Sequence, residues 1–303
     1  MKNHLLAPIA FVLGAIVPLF SEAGPAKPAF SVPTDFQINS AMWSLFGNFD
    51  RKTKSSQFEI PQDTELDLKG SAFTIGDAIV VMPLWASIAV ENRKHKVVLL
   101  TYAVPKSSYG HAEADPNNFE CHACAPLIGV AIFVYKDHRW QIESLRTVVS
   151  RVGGFGSPPA DIRIIQIGPK RIGIEISDIY TGGGETTRVR LILIPWKGKV
   201  NEAMRYVLSD DNHGGCGHDE DELPCYANRK RISFVTCANQ EYFDILLTRS
   251  GTDLTDAEPY RAKSVRGFER LTLVGGFYKT TRRVGATTSA ETGIESRGES
   301  QAR

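Results

Sequence analysis

The sequence has almost no excess of either charge. Its 35 lysine and arginine residues are balanced by 34 aspartate and glutamate residues, which leaves a net charge of +1 over 303 residues. Binding to nucleic acid or to an anionic membrane draws on a surplus of cations. We therefore expect neither as a partner, and the composition identifies no other partner.

Familiar catalytic motifs are also missing. The chain contains no G-x-S-x-G nucleophile elbow. Two glycine-rich stretches, at residues 153–156 and 182–184, lack the Lys-Ser/Thr ending of a phosphate-binding loop, so we expect ordinary loops there. The sequence gives no support for a serine hydrolase or for a P-loop enzyme.

A long apolar segment occurs at the N-terminus, and its layout is that of a secretory signal peptide. Lys2 precedes an apolar run from Leu5 to Phe20, and small residues end the segment at Ala23. The alternative is an uncleaved membrane anchor, but a run of 16 residues that includes two prolines is short for a membrane span. We expect residues 1–23 to be removed, the protein to be periplasmic or extracellular, and no membrane span to remain.

The composition of both ends differs from that of the centre. Residues 24–34 contain three prolines and predict an extended lead. Residues 281–303 are rich in Thr, Ser, Gly, Glu and Arg with few aliphatic side chains, which predicts a disordered tail. Residues 35–280 remain as a single β-rich domain, with two subdomains as the alternative.

Alternation of apolar and polar residues dominates this central part. Ile172, Ile174 and Ile176 are separated by small or polar residues, a spacing typical of a strand with one buried face. The runs 78–90 and 127–135 are rich in β-branched residues and predict central strands. The fold class predicted is mainly β, as an antiparallel, hairpin-rich meander that forms a sandwich, a barrel or a small propeller.

Turn-forming clusters separate the predicted strands. They lie at residues 136–139, 168–171 and 197–199, and each predicts a hairpin. Helical signals are few. Thr34 or Asp35 could cap one short helix that ends at Gly47, and residues 202–207 could form a second short turn of helix.

Five cysteines are present, and in an oxidising compartment they favour disulfide bonds. Local pairing predicts Cys121 with Cys124 and Cys216 with Cys225, because each pair needs only a tight loop. Cys237 follows an apolar, strand-like run and is predicted to be a buried free thiol. Other connectivities stay open at this point.

The segment Cys121-His122-Ala123-Cys124 also has the C-x-x-C spacing of a thiol–disulfide oxidoreductase, in which a histidine could stabilise a thiolate. A thioredoxin-like site has a long helix after this motif. Here Ala125 and Pro126 lead into a predicted strand instead. We therefore favour a structural disulfide and keep redox catalysis as the alternative.

An acidic, glycine-rich loop at residues 209–222 contains two histidines, one cysteine and six carboxylates. Its candidate ligands for zinc, or less well for calcium, are His213, His218, Asp219 and Asp221. The simpler interpretation is a solvated loop closed by a disulfide. We favour that interpretation and expect no bound cofactor.

Three segments together resemble exported bacterial proteins that have no assigned function. They are Cys-His-Ala-Cys-Ala-Pro-Leu-Ile-Gly at residues 121–129, Gly-Gly-Cys-Gly at 214–217 and Pro-Cys-Tyr at 224–226. The resemblance implies export from a bacterium and a shared cysteine framework, but no activity. We expect an exported, non-enzymatic binding or envelope-associated protein. The alternatives are a thiol–disulfide oxidoreductase at the C-x-x-C and a metal-dependent hydrolase at His213 and His218.

Overall fold

A computed structural model describes residues 29–69, 71–106, 125–154, 157–217, 223–236, 240–255 and 260–288. Over these ranges the protein is mainly β, with antiparallel sheets and one short helix, as the sequence predicts. Within the same ranges, no helix has the length and the apolar character needed to cross a bilayer.

The N-terminal half forms one sheet, the first sheet, together with the helix. Its elements are β1 (Ala29–Ser31), α1 (Ile38–Phe46), β2 (Ser56–Glu59), β3 (Ala78–Glu91), β4 (Lys94–Pro105), β5 (Leu127–Lys136) and β6 (Arg139–Arg151). The strand order is β1-β3-β4-β5-β6, and β2 also pairs with β3. Because β4 follows one edge of β3 along its length, β2 and β1 must share the other edge. The predicted central strands 78–90 and 127–135 are β3 and β5.

The C-terminal half forms the second sheet, an antiparallel meander of eight strands in sequence order. They are β7 (Asp161–Gly168), β8 (Arg171–Gly182), β9 (Glu185–Trp196), β10 (Lys199–Asp211), β11 (Ala227–Val235), β12 (Asp244–Leu254), β13 (Ala262–Val274) and β14 (Phe277–Thr288). The three predicted turns join β5 to β6, β7 to β8 and β9 to β10.

Three apolar clusters stack these elements into layers. The first lies between α1 with its neighbouring loops and the outer face of the first sheet. The second lies between the two sheets, where Leu191 and Leu193 of β9 meet β3 to β6. The third contains Ile192 and Ile194 from the opposite face of β9, together with Ile245 of β12. The layered, sandwich-like arrangement is therefore the one observed among the architectures predicted.

The second sheet packs against itself. β10 and β11 pair only between residues 209–211 and 227–229. Beyond this joint, β11 to β14 cover the face of β7 to β10 that points away from the first sheet. The backbone amide of Phe243 donates to the carbonyl of Ile167 at 2.7 Å, although β7 and β12 are five strands apart in the order. This contact holds the end of β7.

Helix α1 ends as predicted but begins later. Gly47 has φ 71°, and its amide donates to the carbonyl of Trp43, which is the usual left-handed cap. The first helical residue is Ile38, and the N-cap is Gln37, not Thr34 or Asp35. Residues 33–36 instead form a turn, in which the amide of Phe36 donates to the carbonyl of Pro33.

Two other boundaries differ from the predictions. Residues 202–207, predicted as helical, lie inside β10, where two bulges interrupt the alternation that marks a strand. The predicted disordered tail from residue 281 is wrong for its first part, because β14 continues to Thr288. Backbone pairing with β13 holds this segment in a strand, although it has few aliphatic side chains. Residues 289–303 lie outside the described ranges.

Candidate functional site

The cysteines of the predicted redox motif, Cys121 and Cys124, lie outside the described residues, and so does Cys237. Their pairing stays a prediction. Pro126 is described and lies directly before β5, so a strand follows the motif, and not the long helix of a thioredoxin-like site.

The disulfide predicted between Cys216 and Cys225 is present, with an S–S distance of 2.00 Å and Cα atoms 5.0 Å apart. It closes the loop between β10 and β11. Asn212, which is buried, braces the same loop: its Nδ2 donates to the carbonyl of Pro224 at 3.0 Å, and its Oδ1 accepts from the amide of Tyr226 at 2.8 Å. The bridge and the amide together hold the joint between β10 and β11.

Of the four predicted metal ligands, only His213 is described; His218, Asp219 and Asp221 lie in the undescribed residues 218–222. The His213 ring is exposed, and its Nδ1 is 3.8 Å from a carboxylate oxygen of Asp211. In the described part of the chain, no group of three or more His, Cys, Asp or Glu side chains is arranged to hold a metal ion.

The glycines of this region allow two backbone turns to pack closely against each other. The amide of Gly214 donates to the carbonyl of Gly184 at 3.0 Å. A Cβ atom on Gly184, which has φ 83°, would come within 2.6 Å of the Cα of Gly215. Glycine is required here because two turns cross in contact, which agrees with the prediction that residues 182–184 form an ordinary loop.

A buried tyrosine lies beside this loop. The Tyr226 hydroxyl donates to Asp210 Oδ2 at 3.2 Å, and the Thr187 hydroxyl donates to Asp210 Oδ1 at 2.8 Å. Burial, with the added negative charge of Asp210, raises the pKa of Tyr226 to about 12. The phenol is therefore neutral near pH 7, and it acts as a hydrogen-bond donor that fixes the end of β10.

A groove of about 850 Å³ opens elsewhere, where the C-terminal part of β3 faces β7. Its apolar walls include Ile88 and Val90 of β3 and Ile164 and Ile165 of β7. Ile88 is 40% exposed and Val90 is 60% exposed, so these side chains add little to a core. The volume is in the range of ligand pockets. We call this feature the edge groove.

Both walls of the edge groove are strand edges. β7 is the terminal strand of the second sheet, and among the described residues no further strand pairs with its outer edge. Only its C-terminal end is covered, where the carbonyl of Ile167 accepts from the amide of Phe243. β2 pairs with residues 78–81 of β3 and β1 with residues 85–87, which leaves residues 88–91 uncovered beyond the end of β1. β1 does not continue, because Pro33 follows and lacks an amide hydrogen. An uncovered edge presents unpaired backbone N–H and C=O groups.

The rim of the edge groove is basic. Arg93 occupies the two-residue turn between β3 and β4, where Asn92 and Arg93 both have positive φ, as a type I′ turn requires. Lys170 occupies the turn between β7 and β8, which Gln166 braces by donating from Nε2 to the carbonyl of Gly168 at 3.1 Å. Neither cation pairs with a carboxylate in the part of the chain that the structure describes.

Arg171, next to Lys170, has partners. Its Nε donates to Glu241 at 2.8 Å, and its guanidinium lies 5.8 Å from the centroid of the Tyr242 ring. The hydrogen bond to Glu241 raises the pKa of Arg171. Arg171 therefore fixes the shape of the rim, whereas Arg93 and Lys170 are free to meet an anion.

A buried ionic cluster lies beside this end of the groove. Glu91 accepts from the backbone amide of Ile172 at 3.0 Å and from the ammonium group of Lys96. Both charged residues are almost fully buried, at 3% and 4% exposure. Lys96 also pairs with the partly exposed Glu143. Because Glu91 belongs to the first sheet and Ile172 to the second, this cluster sets the spacing of the two walls.

A second, smaller groove of about 350 Å³ lies between β6, β10 and β14. Four of its charged residues form ion pairs, Arg146 with Glu65 and Arg205 with Glu202 at 2.7 Å. A ligand there would have to displace existing ion pairs. The edge groove is the better candidate because it is larger and because Arg93 and Lys170 on its rim have no carboxylate partners among the described residues.

Sequence reasoning missed the edge groove. The turn at residues 168–171 was predicted, but its meeting with the β3–β4 turn depends on packing between the two sheets. The apolar run of β3 carries no local sign that Ile88 and Val90 are exposed, because the same residue types fill the core strands.

Comparisons of the chain with protein-family models, with curated proteins and with solved structures give no match. The resemblance of the segment 121–129 to exported bacterial proteins therefore stays a prediction.

Proposed function

We propose that the protein is an exported, non-enzymatic binding module, periplasmic or extracellular, whose ligand occupies the edge groove. The observation that carries this proposal is the combination of exposed apolar walls with two unpaired cations on one rim. Soluble proteins usually bury or disperse such apolar side chains. Apolar walls with a few charged groups are typical of ligand sites.

Export is supported by two observations. The bridge between Cys216 and Cys225 is of the kind that persists in oxidising compartments. The leader pattern of residues 1–23 is that of a secretory signal. Envelope association in a bacterium rests on the resemblance alone.

The binding function requires no cofactor, and we propose that the acidic loop holds none. Elemental analysis of protein purified from an oxidising compartment tests this point. One equivalent of zinc or copper, lost in a His213→Ala, His218→Ala double variant, would contradict it and favour the metal-dependent hydrolase.

Methyl NMR of protein labelled at its isoleucine side chains tests the binding site. The groove methyls of Ile88, Ile164 and Ile165 are compared with those of Ile142 and Ile179, which are exposed elsewhere. The probes are short peptides of either charge, a medium-chain fatty acid and a neutral oligosaccharide. We expect one class to cause saturable shifts in the groove methyls only. Shifts confined to Ile142 or Ile179, or no saturable shift with any class, would refute the proposed site.

A further inference from the structure

We propose that the ligand of the edge groove is an extended, acidic peptide segment that adds to the outer edge of β7 as a further antiparallel or parallel strand. This inference rests on the proposed function of the groove. It adds the chemical class of the ligand and the way in which the ligand is held.

The backbone of β7 supplies the first part of the argument. No strand covers its outer edge among the described residues, apart from the contact of Phe243 with Ile167 at its C-terminal end, and a strand edge of this kind is a template for a peptide. Residues 161–166 of β7 remain open, so an added segment of about six residues would follow them over roughly 20 Å. Backbone hydrogen bonds would supply affinity that depends little on the peptide sequence.

The side chains of the walls supply the second part. Residues of an added strand alternate between the two faces of the sheet, as in any strand. On one face they would pack beside Ile162 and Ile164, which are only partly buried. Across the groove lies the uncovered edge of β3, where Ala89 faces the second sheet and Ile88 and Val90 point to the opposite face. Apolar residues at every second position of the peptide would therefore cover Ile162 and Ile164, which are now only partly buried.

Charge complementarity supplies the third part. Arg93 and Lys170 lie on separate hairpin turns at the same end of the groove, and neither has a carboxylate partner in the described ranges. A carboxylate side chain at the matching end of the peptide would pair with both. The charge of the buried Glu91 is compensated by Lys96 and by Arg171, whose Nη1 lies 3.9 Å from its carboxylate.

Strand β1 of the same chain shows that the outer edge of β3 accepts a short strand. β1 pairs with residues 85–87 of β3 in parallel, through only three residues. It ends where the edge groove begins. An added peptide would lie beyond the end of β1, in the groove between β3 and β7.

Fluorescence anisotropy with a labelled, N-acetylated and C-amidated octapeptide of alternating glutamate and valine tests the inference on the full mature chain. The first control peptide replaces every glutamate by lysine. The other two control peptides keep the glutamate and valine side chains but carry N-methyl groups on alternate residues, one peptide in each register, so that each can donate backbone hydrogen bonds along only one of its edges.

We expect saturable binding of the acidic peptide and at least tenfold weaker binding of the lysine peptide. Binding should be lost for the N-methylated peptide whose methyl groups face β7 and retained for the one whose methyl groups face away. The Arg93→Glu, Lys170→Glu variant should bind the acidic peptide at least tenfold more weakly. The matched variant Lys136→Glu, Arg139→Glu changes the equivalent turn between β5 and β6 and should bind normally.

Three outcomes would overturn the inference. Equal binding of the two N-methylated peptides would exclude strand addition. Equal binding of the lysine peptide would exclude charge recognition. No peptide binding, together with groove methyl shifts on adding the fatty acid, would reject the peptide but leave the groove as the binding site. Concentration-dependent dimers that an Ile164→Lys variant abolishes would replace the peptide by a second copy of this chain.

Discussion

The carboxylate of Glu91 accepts a hydrogen bond from the backbone amide of Ile172, 3.0 Å away, and so one side chain of the first sheet is bonded to the backbone of the second. The two residues are 81 positions apart in the sequence. The same carboxylate neutralises the buried Lys96. The spacing between β3 and β8, and with it the width of the edge groove, depends on this contact.

Replacing Glu91 should therefore destabilise the protein strongly. In Glu91→Ala the ammonium group of Lys96 stays buried and keeps only its pair with Glu143, and breaking a buried ion pair costs about 3 kcal/mol or more. The matched variant Glu143→Ala removes a partly exposed partner and should cost less than about 1 kcal/mol. Urea unfolding measures both values. Similar losses in the two variants would contradict the role assigned to Glu91.

Two buried tyrosines should respond differently to loss of the hydroxyl. The Tyr206 hydroxyl has no hydrogen-bond partner in the described structure, whereas the Tyr278 hydroxyl donates to the carbonyl of Phe243 at 3.2 Å. Tyr206→Phe should leave the free energy of unfolding unchanged or raise it, because an unsatisfied polar group is removed. Tyr278→Phe should lower it by about 1 kcal/mol. Chemical denaturation tests the pair, and the reverse order would show that Tyr206 has a partner.

The disulfide between Cys216 and Cys225 should stabilise the fold by restricting the unfolded chain. For its short loop the entropy estimate is about 3 kcal/mol before any native strain is subtracted. The Cys216→Ser, Cys225→Ser variant should lose this amount in denaturant unfolding. Peptide mapping of unreduced wild-type protein is the control for connectivity, and it also tests the predicted bridge between Cys121 and Cys124. Any bridge from Cys216 to a cysteine other than Cys225 would contradict the structure.

Asp178 should make stability depend on pH. Burial raises its pKa above the ordinary value, although the amide of Gly153 donates to the carboxylate at 2.9 Å. The folded state therefore binds the proton more tightly than the unfolded state, so this residue's contribution to stability falls as pH rises through the raised pKa. Asp178→Asn, which keeps the acceptor oxygen, should be more stable than wild type at pH 7. The difference should close as the pH approaches the ordinary aspartate pKa, and a constant difference would contradict this account.

Strands and turns could be predicted from the sequence because their signals are local. The alternation of Ile172, Ile174 and Ile176 marks β8, and the turn clusters mark three hairpins that the structure contains. Residues 202–207 were mistaken for a helix because the bulges of β10 break the same alternation. The start of α1 was placed too early because Thr34 and Asp35 are good capping residues that lie in a preceding turn.

The candidate site could not be predicted, because it is formed by contacts between distant segments. Val90 and Ile164 are ordinary strand residues, and only the packing of the two sheets brings their edges together. Charged residues such as Arg93 and Lys170 are common in hairpin turns, so the sequence alone does not mark them as part of a site. The disulfide of the acidic loop could be predicted, because Cys216 and Cys225 lie close together in the sequence.

Hydrogen–deuterium exchange at the outer edge of β7 tests the central claim most directly. The amides of residues 161–168 are followed with and without the acidic octapeptide, and those of β14, the other terminal strand of the second sheet, serve as the internal control. Strand addition predicts that alternate amides of β7 become protected at saturating peptide while β14 does not change. Unchanged exchange in β7 under conditions where the peptide is bound, or protection confined to β14, would contradict the claim that β7 is the edge that receives the ligand.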